Sequence, residues 1–205
     1  MAEKEFREEQ WEHRYDEHIA PINRLVDELR KDPHLESPWA PYVAPMYGGI
    51  KARLLSVLRD PGPKGSGSGF LCMENDDPTA ETISKFFAAA QITADDIVPW
   101  NVYPWYINRD PSATELKAGV KPLKRLIDLL PNLKVVMLHG GSAKNGWKLF
   151  TRSYPNLVAE LGMQVIPTYH TSQQAFWHPD TAERERRKEH LRDSFQEAAR
   201  ILRNS

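Results

Sequence analysis

The chain has 205 residues, a formal net charge of −1 and a hydrophobic fraction of 40%. That length suits one domain with a sizeable core, the near-zero charge gives no global pull toward nucleic acid, and no apolar stretch is long enough to span a bilayer. A single cysteine, Cys72, excludes an internal disulfide framework and a four-cysteine cluster within one chain, and fits a reducing compartment such as the cytoplasm.

Residues 4 to 31 predict a helix, because Phe6, Trp11, Tyr15, Ile19, Ile22, Val26 and Leu29 recur at near-helical spacing among charges. Pro21 either kinks it or starts a second helix after Ala20. The charges from Glu3 onward are unlike a secretory signal peptide. Residues 32 to 51 carry Pro33, Pro38, Trp39, Pro41, Tyr42, Pro45 and Tyr47, too many large apolar groups for a flexible linker. They are expected to lie across the surface near a strand end.

The first strand is expected at 52 to 59, an apolar run that stops at Arg59-Asp60. It breaks into a loop of Gly62, Pro63, Gly65, Gly67 and Gly69 before Phe70. The glycines let backbone approach a ligand closely, and Pro61 biases Asp60 away from helical geometry. A helix follows from 78 to about 90, with Asp77 or Thr79 as its cap. The second strand, 96 to 103, leads into Asn101-Val-Tyr-Pro-Trp-Tyr-Ile-Asn-Arg-Asp-Pro. The next helix, 113 to 130, has Ser112 or Thr114 to cap it. The third strand, 133 to 138, ends in His139-Gly140-Gly141-Ser142. The fourth, 163 to 168, ends in Tyr169-His170-Thr171-Ser172 and runs on through Gln174, Ala175 and Phe176 to His178. A last helix spans 181 to 203, and its basic run at 184 to 188 alternates with glutamates as a solvated face does.

Strands alternating with helices predict an α/β fold, a three-layer αβα arrangement around a central four-stranded, mostly parallel sheet. Such sheets place ligands at the carboxyl ends of their strands. Asp60, Asn101, His139 and His170 all stand at strand exits, so they are expected to converge in one cleft. His139, His170, His178 and Asp60 are metal-ligand types, yet none has the spacing of a metal motif, so neither metal nor cofactor is expected. The set suits a nucleobase instead. A carboxamide can pair with a pyrimidine edge, an aromatic ring can stack on its face, a histidine can donate to the oxygen that gains charge as the base leaves, and a carboxylate can position water.

The exit loops resemble the motifs of the uracil-DNA glycosylase superfamily. Leu58-Arg59-Asp60-Pro61-Gly62-Pro63 is similar to the first motif, Gly-Met-Asn-Pro-Gly-Pro in the single-strand-selective monofunctional group and Gly-Gln-Asp-Pro-Tyr in the classical one. Trp39-Ala-Pro-Tyr-Val-Ala-Pro-Met-Tyr resembles the single-strand-selective lead-in. The segment from Asn101, Leu138-His-Gly-Gly-Ser-Ala and Pro167-Thr-Tyr-His-Thr-Ser resemble motifs of the iron–sulfur group. The resemblance covers residues 37 to 177 in order, within a single domain flanked by a helical region at 1 to 36 and a helix at 180 to 203.

The resemblance implies a monofunctional glycosylase acting on uracil or a related deaminated base in DNA, extruded from the stack. It puts Asp60 and His170 in catalytic places, and Phe70, Asn101, Arg59 and Gly62 around the base. Ser172 falls beside a phosphate, and Gln174, Ala175 and Phe176 in the loop that fills the gap in the duplex. Several departures stand out. Leu58 replaces glycine, Arg59 replaces Gln, Glu or Met, Thr171 replaces proline, and Trp105 stands where the iron–sulfur group has a cluster cysteine. His139 has no counterpart. Two other readings remain open: a damaged-DNA-binding member without turnover, and an α/β hydrolase acting on free nucleosides or nucleotides.

Overall fold

The computed structural model describes every residue except Ala2, Ser37 and Ser205, and for Ser66 and Gln173 the backbone alone. Ser37, where the motif-bearing core is expected to begin, therefore lies outside the described residues.

The amino-terminal region is two helices, α1 (Lys4–Glu12) and α2 (Ala20–Leu29), with Pro21 in the first turn of α2. A proline is tolerated there because its missing N–H would have no helical partner. The connector that follows is not spread over the surface. It forms β1 (Tyr42–Val43), and Ala40, Val43, Ala44 and Tyr47 are all buried. Asn23, fully buried on α2, holds this strand by bonding both to the N–H and to the carbonyl of Val43. Tyr42, Val43 and Tyr47 thus belong to the core, where burial stabilises most, and Trp39 is half-buried.

Strand β2 (Leu54–Leu58) ends one residue before Arg59, and the glycine-rich stretch then winds into a short helix, α3 (Pro63–Ser68). Gly69 closes α3 at φ 83°, and a Cβ there would meet the Trp11 ring at 2.5 Å. Strand β3 (Phe70–Leu71) pairs in parallel with β1. Helix α4 (Pro78–Ala89) is capped by Asp77, whose carboxylate accepts from the N–H groups of Thr79 and Ala80. After β4 (Ile97–Asn101), Ser112 and Glu115 form a reciprocal capping box on α5 (Ala113–Asp128). Strand β5 (Val135–His139) runs directly into α6 (Gly140–Ser153), and the short α7 (Leu157–Glu160) precedes β6 (Gln164–Thr168). A single turn, α8 (Gln173–Phe176), leads to α9 (Thr181–Arg203), capped by Asp180.

The four longer strands form one wholly parallel sheet in the order β4-β2-β5-β6. Register pairs Leu58 with Asn101 and His139 with Thr168, so the strand exits lie along one edge. Helices α4 and α9 cover the face that carries His139: Phe86 and Phe87 of α4 pack on Phe195 of α9, and His139 lies 5.9 Å from the same ring. Helices α5 and α6 cover the other face. The fold is the expected α/β sandwich with its four-stranded parallel sheet. No helix among the described residues is long and apolar enough to cross a membrane.

Candidate active site

Where a parallel strand ends, the chain leaves the sheet with backbone groups unpaired and side chains free to face a ligand. Here the edge opens into a cavity of about 640 Å³, whose wall includes Asp60, Asn101, His139 and His170. Residues separated by 41, 38 and 31 positions thus meet because four strands end level with one another. Arg59, Gly62, Ser172 and Gln174 also line it.

Asp60 is almost wholly buried, its side chain 1% exposed. One carboxylate oxygen accepts from the Arg59 Nε and the other from the backbone N–H of Asn108 at 2.9 Å. Burial pushes its carboxyl up, and the Arg59 guanidinium and the Asn108 and Ile107 N–H groups pull the other way without cancelling that rise. Arg59 also pairs with Asp110 at 3.1 Å, which holds its guanidinium across the cavity wall.

Asn101 is 2% exposed, and its side-chain Nδ2 has no acceptor among the described residues. His170 accepts from the Ser172 N–H at 3.0 Å through Nδ1. Burial and the nearby Arg59 charge lower its pKa, with Asp77 opposing. An Nδ1 that accepts leaves the proton of the neutral ring on Nε2. Gly140, at φ 88°, lets α6 begin beside this ring, since a Cβ there would meet the His170 Cβ at 3.1 Å. His139 is fully buried. Its Nε2 shares a hydrogen bond with the Ser56 hydroxyl at 3.0 Å, its Nδ1 has no partner among the described residues, and burial together with His170 pushes its pKa down to about 3.

Phe70 is a correction. Its ring is 0% exposed, packs on Trp11 at 4.9 Å and beside Tyr42, and takes no part in the cavity wall. The β1–β3 pairing turns this ring away from the strand exits, so it cannot stack on a bound base from there. Leu71 and Met73 on the same segment do line the cavity, with Tyr47. Alternation along β3 says that Phe70 and Leu71 face opposite ways, but not which of the two faces the cavity.

The loop after β6 is also arranged differently from expectation. Gln174 faces the cavity, whereas Ala175 and Phe176 do not line it, and Phe176 packs partly into the core. The exposed apolar group is Trp177, 66% accessible. The carbonyls of Ala175 and Trp177 accept from Arg187 of α9, which ties this loop down. Trp105, in the place of a cluster cysteine, is 2% exposed and donates its indole N–H to the Leu29 carbonyl at the end of α2. Among the described residues no three His, Cys, Asp or Glu side chains come together to hold a metal ion.

A comparison with protein families agrees with this geometry: the Uracil DNA glycosylase superfamily matches residues 45–198. The chain belongs to that superfamily. The match takes in all four strands of the sheet and the whole cavity wall, and stops within α9. No curated protein matches the chain. As a superfamily member, the protein carries its spare amide, its neutral imidazole and its buried carboxylate on the sheet edge where the parallel strands end.

Proposed function

We propose that the protein is a monofunctional DNA glycosylase that hydrolyses the N-glycosidic bond of uracil or a related deaminated base extruded from DNA. The observation that carries this reading is the meeting of Asp60, Asn101 and His170 around one cavity. Asn101 offers an amide, with an unused Nδ2 donor, to the pairing edge of the base. His170, neutral with its proton on Nε2, donates to the base oxygen that gains charge as the C–N bond breaks. Asp60 offsets the positive charge that develops on the sugar and orients the water whose oxygen bonds to the anomeric carbon. Ser172 and Gln174 stand at the mouth, where a phosphate would pass.

Single- and double-stranded oligonucleotides carrying uracil, hypoxanthine or xanthine test this. The expected result is an abasic product from at least one. Release should fall about 100- to 1,000-fold in His170→Ala, the usual effect of removing one positioned donor, and at least as far in Asp60→Ala. No abasic product from any oligonucleotide sinks the enzymatic reading.

A second reading has an observation of its own. Both Asp60 oxygens are engaged, by Arg59 and by the Asn108 N–H, as in a site that binds a damaged nucleotide without turning it over. It predicts salt-dependent binding to lesion-bearing DNA with no base release, and an Asp60→Asn variant that binds as the parent does.

A further inference from the structure

The chain has 28 acidic residues, yet none lies between Asp128 and Glu160. Helix α6 falls inside that gap. Its 14 residues include Lys144, Lys148 and Arg152 and no carboxylate. All three side chains are exposed, and none forms an ion pair among the described residues. Cations on the other helices are treated differently. Lys85, Lys124 and Arg187 each meet a carboxylate four residues away, and α9 sets five acids among its seven lysines and arginines. Like charges four apart on a helix repel and weaken it. The row on α6 therefore does not serve the helix, and it suits a partner that brings the missing negative charge.

The row begins at the candidate active site. Gly140, Gly141 and Ser142, in the first turn of α6, are part of the cavity wall. Lys144 follows, its Nζ 5.9 Å from the centre of the Tyr169 ring, one residue before His170. From there Lys148 and Arg152 step away from the strand exits at about 6 Å each, along the exposed face of the helix. We infer that this row carries a DNA strand away from the cavity: the phosphates on one side of the extruded nucleotide turn over the rim beside Tyr169 and follow α6, one to each cation. The inference rests on the glycosylase reading for what enters the cavity. It requires an unpaired strand, because a duplex, stiff over about 150 base pairs, does not make so tight a turn.

Single-stranded oligonucleotides with one uracil, ending at that nucleotide or extended by three nucleotides on its 5′ or its 3′ side, are the probes. Binding is read by fluorescence anisotropy between 50 and 200 mM salt, and base release by strand cleavage at the abasic site. Extension on one side is expected to tighten binding and to steepen the log–log salt slope by about 2, at roughly 0.7 per phosphate, so that the gain shrinks about twentyfold across that salt range. The triple variant Lys144→Gln, Lys148→Gln, Arg152→Gln should erase that gain, while its affinity for the unextended oligonucleotide stays within about twofold and base release from it is unchanged. A gain that survives in the variant, or a loss that is equal at every length, overturns the inference. So does a decaglutamate peptide that binds through the three cations when the extensions do not, which would assign the row to an acidic protein. Binding that follows the extension through these cations, without release of any base, would instead overturn the catalytic reading and leave the row in place.

Discussion

Both carboxylate oxygens of Asp60 are satisfied within the protein, and the cation that satisfies one of them, Arg59, is one of the residues that depart from the motif the first loop resembles. If an ionised Asp60 is required, Arg59 sets the pH at which the site works. Arg59→Met removes the opposite charge while burial remains, so the carboxyl rises further from its ordinary value. Activity that needs the carboxylate is lost as pH falls through that pKa, so the acidic limb of the single-turnover rate profile should move to higher pH in the variant. An unmoved limb would assign it to another group. His139 makes the opposite demand on stability. Its folded pKa, about 3, lies below the ordinary imidazole value. Between pH 6.5 and 3 the unfolded chain therefore binds a proton that the folded chain refuses, and stability falls as pH drops. From pH 7 to pH 5 this costs about 2 kcal/mol. Denaturant titrations should show His139→Asn losing less stability than the parent over that interval, His170 adding a slope of the same sign to both.

Helix α4 forms one wall of the cavity, and its start is set by a single side chain. Asp77 accepts from two of the four N–H groups that a helix leaves unpaired at its first turn. Asp77→Ala should cost about 1 kcal/mol of unfolding free energy, as N-cap losses do. It should also raise hydrogen exchange at Thr79 and Ala80 more than at Phe87. Helices α5 and α6 are held by close approach rather than by caps alone. A Cβ at Gly119 would lie 1.9 Å from the Val102 carbonyl, and one at Gly146 equally near a Val102 methyl group. Gly119→Ala must displace backbone, so a loss of several kcal/mol is expected, beyond the usual range for one substitution. A melting temperature within a degree or two of the parent's would contradict that packing. These approaches place the β4 exit, and with it Asn101, against the helices of the opposite layer.

At the scale of the molecule, opposite charges nearly cancel in sum, at a net −1. The cations beside the cavity are paired: Arg59 with Asp60 and Asp110, Lys64 with Asp76 at 3.8 Å. On α9, Arg186 and Arg187 pair with Glu183 and Lys188 with Glu185. A net charge of −1 gives no overall attraction to phosphates. DNA affinity should therefore fall gently with salt. At about −0.9 per phosphate neutralised, a log–log slope no steeper than about −3 is expected, against the much steeper dependence of proteins with many phosphate contacts. A slope of −6 or beyond, measured by anisotropy between 50 and 200 mM salt, would show that charges now paired open toward the DNA.

The sheet and its exits can be read from local residue patterns alone. Apolar runs of strand length, each giving way to polar residues, put Asp60, Asn101, His139 and His170 at one edge, because parallel strands with level registers must end together. Caps at Asp77, Ser112 and Asp180 were legible for the same local reason, since a side chain two or three residues away is all a helix start requires. What tertiary structure decided was direction. Whether Phe70 faced the cavity or Trp11 depended on the pairing of β3 with β1, and whether Phe176 or Trp177 faced outward depended on how Arg187 fastens the last loop. Each of these is a contact between segments far apart along the chain, and no local pattern of residues carries that information.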